Sequence, residues 1–365
     1  GLVFKGWDPE LTIHPEPDTF YYTAVYEKEL TPIRDVSRCL CFTIEEAGSW
    51  IWYESPDDHI PNMEYSIDSG VTWQPFVRSE TWGENKLVFD NVGDKIYVRG
   101  VNPDGFSFSR EHPTQFHISG KVAASGSVMS LIDGEGYYNV IPSEYCFSSL
   151  FEACSLTQAP ELTATTLTKG CYDAMFNGCT KLTQAPALPA TTLVESCYQM
   201  MFAGCEMLQM APELLSTTLA DSCYSGMFYI CESLKTAPAL PATTLASYCY
   251  SFMFAGCHRL TEAPELPATE LKTGCYEAMF LDCSRLNYIK VGVMTLDNDF
   301  DATLDWVQEI DGEGVFIFPC GSKYDKHGIS EVPDHFKIIS SPVVIFQNPD
   351  GEELYRDTIG CDVLP

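Results

Sequence analysis

At 365 residues, with 45% hydrophobic side chains, the chain is long enough for two or three folding units. Its 51 Asp and Glu outnumber 21 Lys and Arg, giving a formal charge of −30. Nucleic acid and anionic membrane surfaces are thereby excluded as partners, because phosphate groups need clustered Lys and Arg, and no run of about 18 apolar residues exists for direct membrane insertion.

The acid excess is shared by every part of the chain: 10 basic against 20 acidic residues over 1–124, 7 against 16 over 125–295, and 4 against 15 over 296–365. The chain opens Gly1-Leu2 with no Met and no charged-then-apolar leader, so any export signal is expected to have been removed.

Residues 2–124 carry short apolar and aromatic runs broken by turn signals. Examples are Thr19 to Tyr26, Trp50-Ile51-Trp52-Tyr53, Lys86 to Phe89 and Lys95 to Arg99, with turns at Asp68-Ser69-Gly70 and Asn102-Pro103-Asp104-Gly105. This predicts an all-β, sandwich-like domain of immunoglobulin-like size. Five of the six tryptophans fall in it: Trp7, Trp50, Trp52, Trp73 and Trp82. As core residues they would fill a small sandwich; as exposed rings they would stack on sugars. Trp50 and Trp52, two apart on one strand, are the candidate glycan-stacking pair.

Residues 146–290 repeat themselves, within a solenoid domain expected over 125–295. The pattern Cys-Tyr-x-x-Met-Phe-x-x-Cys-x-x-Leu-x-x-Ala-Pro-x-Leu-Pro-Ala-Thr-Thr-Leu recurs every 26 residues from Cys171, Cys197, Cys223, Cys249 and Cys275, after a copy at Cys146 that is one residue shorter. A period of that length predicts a stacked solenoid of about six coils, none of which buries its apolar face alone. Within a coil, Cys171, Met175 and Cys179, with Tyr172 and Phe176, are spaced by four, which predicts a short helix. Leu182, Ala185 and Leu188 predict a short strand, ended by the column Pro160, Pro186, Pro212, Pro238 and Pro264. Twelve of the sixteen cysteines stand in two columns. On helices, cysteines eight apart would be about 12 Å from each other, so the columns read as buried, reduced thiols rather than disulfides or a metal cage.

The coils resemble the leucine-rich repeats of the BspA-like type found in surface proteins of gut and oral Bacteroidetes. The likeness is carried by the blocks from Met201 to Leu208 and from Ala237 to Leu245, and by the run Lys121 to Gly126 through Met129-Ser130-Leu131 that leads into the repeats. Two departures stand out: Leu215-Ser216 replaces Pro-Ala, and the last coil loses its Ala-Pro pair at Ile289-Lys290. The resemblance implies an exported, lipid-anchored cell-surface protein of the outer membrane whose solenoid binds proteins or glycans.

After the repeats, Asp297-Asn298-Asp299-Phe300-Asp301 starts like a calcium loop, but Ala302 and Gln308 stand where an EF-hand needs Gly and Glu. The segment reads instead as the acidic first turn of a helix through Leu304, Trp306, Val307 and Ile310. Strands at Val315 to Phe318 and Val332 to Ile339 complete a cap over 296–340. Residues 341–365, with Asn348-Pro349-Asp350-Gly351 between apolar runs, read as a β-hairpin. The predicted fold class is therefore α+β: a β domain, a repeat solenoid of short strands and short helices, and a cap.

No Gly-x-Ser-x-Gly elbow, His-Glu-x-x-His, Walker loop or Rossmann glycine pattern occurs, so neither catalysis, a cofactor nor a resident metal is expected. The leading reading is a non-enzymatic adhesion protein whose solenoid engages a host or bacterial surface protein. Its contact set is the variable positions, since invariant ones serve the core: Gln199, Met200, Tyr229 and Phe252 on the helical side, Gln209, Met210, Thr261 and Glu262 beside the strand. A glycan-binding protein acting through Trp50 and Trp52 is the alternative.

Overall fold

The computed structural model describes residues 2–8, 23–28, 36–81, 83–297, 301–340, 343–347 and 353–358. The described residues are mostly strands and loops arranged in several sheets, none of them closed. Helix is confined to four residues, Ser130–Asp133, so the helical half of the α+β expectation is corrected.

In chain order, β1 (Leu2–Asp8) and β2 (Thr23–Lys28) pair antiparallel as a separate ribbon. The next strands are β3 (Leu40–Ile44), β4 (Ser49–Glu54), β5 (Glu64–Ser66), β6 (Gln74–Pro75), β7 (Leu87–Phe89), β8 (Lys95–Arg99), β9 (Gln115–Ser119) and β10 (Val122–Ser125). Helix α1 (Ser130–Asp133) and β11 (Leu156–Gln158) follow. One sheet runs β11-β10-β3-β8-β5-β6 and the other β7-β4-β9. Their apolar faces meet, with Phe42 of β3 edge-on to Phe116 of β9 at 5.5 Å. Phe116 then stacks on Phe151 of the first coil at 5.6 Å.

The boundary expected at 124/125 therefore falls inside a strand. β10 pairs antiparallel with β3 and parallel with β11, so one sheet and one core pass from the β module into the repeats.

The coils are not helical. Each apolar stripe is a chain of turns with a repeat of four residues. The N–H groups of Asp173, Met175, Asn177 and Cys179 donate three residues back, to the carbonyls of Gly170, Tyr172, Ala174 and Phe176. The alternate N–H groups of Gly170, Tyr172, Ala174, Phe176 and Gly178 donate sideways instead, to Glu195, Cys197, Gln199, Met201 and Ala203 of the next coil. A helix would commit every N–H to its own i−4 carbonyl and leave none for the neighbour. Every fourth residue is left-handed, as at Gly170, Ala174 and Gly178, with φ of 58°, 54° and 71°. Such a conformation costs a non-glycine residue roughly 1–2 kcal/mol, offset here by the ladder to the next coil.

That geometry places like on like. Tyr172, Tyr198, Tyr224, Tyr250 and Tyr276 stack at centroid separations of 5.9–6.1 Å, within 8° of parallel. Phe151, Phe176, Phe202, Phe228, Phe254 and Phe280 form a second column at 5.6–5.9 Å. Stacked pairs add roughly 0.5–1.5 kcal/mol each beyond their burial. Between the columns lie the fully buried Met175, Met201, Met227, Met253 and Met279. The thirteen cysteines from Cys41 to Cys283 are buried free thiols, and Cys39 is buried with them. In the second column each thiol donates to a carbonyl one coil back: Cys179 to Phe151, Cys205 to Phe176, Cys231 to Phe202, at 3.1–3.2 Å. Burial pushes the Cys205 and Cys257 thiols up to about 12, which keeps them unreactive. Cys320 is disulfide-bonded.

The expected strand face shrinks to single bridges in most coils: Gln184 with Met210, Thr218 with Thr244, Glu262 with Tyr288. Pro186, Pro212 and Pro264, two residues after Gln184, Met210 and Glu262, remove donors that would extend those bridges.

At the C-terminal end the expected helix through Trp306 is absent. Asp301, Asp305 and Glu309, with φ of 49°, 53° and 66°, build the same four-residue turns once more. The fully buried Trp306 closes both aromatic columns, 6.1 Å from Tyr276 and 6.2 Å from Phe280. Parallel strands β12 (Tyr288–Lys290), β13 (Gly314–Ile317) and β14 (Phe336–Ile339) cover the end. β15 (Val343–Gln347) and β16 (Glu353–Thr358) pair antiparallel as a hairpin.

Candidate functional site

The variable positions of the repeat separate onto two faces. On the turn face, Gln199, Met200 and Tyr229 are half-buried and Phe252 is 36% exposed. Tyr229 meets Phe252 edge-to-face at 6.4 Å, and the Met200 thioether fills the space above Gly226. These side chains lean on one another more than they offer themselves to a partner. On the proline face, Gln209, Met210, Thr261 and Glu262 are all exposed.

Met210 is the one of these that gathers neighbours. It is 55% exposed, and Met207 (48%) and Leu215 (50%) of the same coil are exposed with it. Met210, Pro212 and Leu215 form one wall of a groove of about 710 Å³, and Ala237, Pro238 and Pro241 of the next coil form the other. A sister groove of about 740 Å³ lies nearer the N-terminus between Pro160 and Pro186; both grooves carry polar lining, Gln209, Glu213 and Thr236 in the first, but Gln158 and Thr163 stand in the sister where Met210 and Leu215 stand here. The difference comes from side chains, since the backbone repeats. Leu215 stands where three other coils carry proline (Pro189, Pro241 and Pro267) and the first carries Thr163. Sequence reading registered Leu215-Ser216 as a departure from the pattern without seeing that it places a large apolar group in water; Met207 was missed.

The tryptophan platform is corrected. Trp52 is 1% exposed and lies flat on His117 at 4.0 Å, while Glu54 Oε1 is 3.1 Å from His117 Nε2. Trp50 is half-buried with Lys86 Nζ 5.8 Å from its ring. The two do share one face of β4, but the loops over that face close Trp52 off from any sugar. Trp73 lies under the Arg99 guanidinium at 3.9 Å, and Trp82 lies outside the described residues.

The seam between β module and coils holds one buried acid. Asp173 has a fully buried side chain whose oxygens have no hydrogen-bond partner, and Arg110 Nε stands 2.7 Å from Oδ2 as an ionic contact. Burial raises its carboxyl to about 6; Arg110 opposes the rise and Glu152 adds to it. The folded state therefore holds a proton that the unfolded chain releases near pH 4, so stability falls as pH rises from about 4 to about 6. Asp173→Asn is expected to remove that slope and to raise the unfolding free energy at pH 8 by on the order of 2 kcal/mol. Urea midpoints of both proteins at pH 5 and pH 8 check it, and an unchanged difference between the two pH values would exclude Asp173 as its source.

Among the described residues no group of three or more His, Cys, Asp or Glu is placed to hold a metal ion, and no helix is long and apolar enough to cross a membrane. No family model, curated protein or solved structure matches the chain.

Proposed function

We propose that this is a non-enzymatic, BspA-like leucine-rich-repeat protein, exported and lipid-anchored at the cell surface, whose coil stack binds a host or bacterial surface protein. The observation that carries the reading is Leu215. A solenoid needs its repeated residues to fold, and at this position the commonest residue is proline, at Pro189, Pro241 and Pro267, with Thr163 in the first coil. Replacing it with a leucine that is 50% exposed adds nothing to the core. It adds a second exposed apolar side chain, beside Met210, to the wall of a groove that an apolar side chain can enter. Apolar side chains that lose water on contact contribute through the area they bury.

Purified extracellular-matrix proteins on an array supply the test. The full chain is expected to bind at least one of them, and Met210→Ser with Leu215→Ser to weaken that binding at least tenfold. Because both side chains are exposed, the double variant should unfold within about 0.5 kcal/mol per substitution of the parent. Binding that survives the double substitution would move the contact to another face.

A further inference from the structure

Two aromatic rings outside the repeat are the most exposed in the described chain: Tyr137 at 64% and Tyr138 at 54%. They stand on a loop held with unusual care. The 95%-buried carboxylate of Asp133 accepts four backbone N–H groups, from Glu135 and Gly136 on Oδ1 and from Tyr137 and Tyr138 on Oδ2, at 2.6–2.9 Å. Gly134 and Gly136 are left-handed, with φ of 78° and 75°, and a side chain on Gly136 would collide with the Arg38 carbonyl. The Arg38 guanidinium donates twice to Gly136 O and lies 4.4 Å above the Tyr137 ring. The backbone that carries both rings is thus fixed, and the Tyr137 ring is held under Arg38, while both rings bury little of themselves, which a purely structural role would not require.

The surroundings are polar. Asn139 O accepts the N–H groups of Thr165 and Thr166, and Val140 bridges to Thr166. That register continues into exposed Thr-Thr pairs at 191–192, 217–218 and 243–244. We infer that Tyr137 and Tyr138 are a carbohydrate-stacking site, with Arg38, Asn139, Thr165 and Thr166 facing the sugar hydroxyls. Sugar C–H faces pack on fixed aromatic rings, and rings already immobile lose little entropy on binding. A protein partner fits less well, because the residues beside the rings, Arg38, Asn139, Thr165 and Thr166, are polar, with Val140 exposed among them. This site is independent of the Leu215 groove.

Affinity electrophoresis of the full chain through gels containing dextran, xylan, galactomannan or mucin O-glycans is the test. At least one of them should retard the parent protein. Tyr137→Ala with Tyr138→Ala should lose at least tenfold of that retardation, while Tyr137→Phe with Tyr138→Phe, and separately Leu215→Ser, keep it. Thermal unfolding of the alanine double variant shows that it remains folded. No retardation of the parent by any of the four, or retardation that persists in the alanine variant, overturns the site. So does an alanine variant that instead loses binding to matrix proteins.

Discussion

Trp306→Ala is expected to lower the unfolding free energy by about 3–5 kcal/mol, the range for truncating a buried aromatic side chain, and to fray the stack from its C-terminal end. Trp306 is the last rung of both aromatic columns, and its Nε1 donates to Glu331 O at 2.7 Å, which ties the turns to the cap. Removing it opens a cavity against Tyr276, Phe280 and Phe316 and leaves a carbonyl without its donor. In a stack where each coil bonds to its neighbours, loss at one end propagates inwards only as far as neighbour contacts fail to compensate. Amide exchange followed residue by residue distinguishes the cases. Tyr276, Ala278 and Phe280, which donate to residues 302, 304 and 306, should lose protection first, and Tyr172 to Phe176 should keep theirs. Uniform loss along the stack would mean that it unfolds as one unit and that the cap has no special place in it.

The second large effect is expected at Asp133. Asp133→Ala withdraws one acceptor from four N–H groups at once. Hydrogen bonds to an ionised group are worth roughly 1.5–3 kcal/mol each, but a surface loop recovers much of that from water, so a net cost of about 3 kcal/mol is expected. Urea unfolding measures the cost, and amide exchange at Gly136, Tyr137 and Tyr138 should quicken while that of β3 and β8 stays slow. A cost under about 1 kcal/mol would show that the loop is held chiefly by Arg38. Because the rings themselves remain, the same variant separates their presence from their positioning in the electrophoresis described above.

How far the sequence carries the structure can be judged element by element. The 26-residue period is visible in Cys171, Cys197, Cys223, Cys249 and Cys275 because each coil must match its neighbour atom for atom, and the buried columns preserve that demand in residue identity. Conformation within the coil was misread. The i, i+4, i+8 spacing of Cys171, Met175 and Cys179 resembles a helical stripe, yet a helix also fills i+3 and i+7, and every-fourth positions drift around it by about 40° per step. A strict four, with Gly170 and Gly178 in phase with it, is the mark of chained turns. Burial of Trp52 depended on loops and His117, far from it in sequence, and nothing local reveals that. Tyr137 and Tyr138 were legible in principle, since Asp133-Gly134-Glu135-Gly136 before two aromatics is a capped turn that presents them. The wall at Leu215 was visible only as a broken pattern, because exposure depends on the neighbouring coil.

The alternating N–H groups give the stack an assembly polarity. Along the turn face from Tyr145 to Asp282 the sideways donors of each coil point toward the C-terminus, and the carbonyls that receive them point back; a few donors beside the prolines, such as Gln209 to Thr183 O, run the other way. A chain made N-terminal end first therefore always shows its growing end as a row of unused donors, with β10 as the seed on which β11 of the first coil sets. Each arriving coil closes a loop of only about 25 residues, a small entropic cost that is the same at every step. The converse is a hazard for any shortened chain. Cut after Cys231, it would leave the donors of Ser222, Tyr224, Gly226, Phe228 and Ile230 unanswered, an open edge able to recruit another chain's backbone. Deleting one whole 26-residue unit would instead rejoin donors to acceptors of the same spacing, so this architecture can change length by entire coils and by little else.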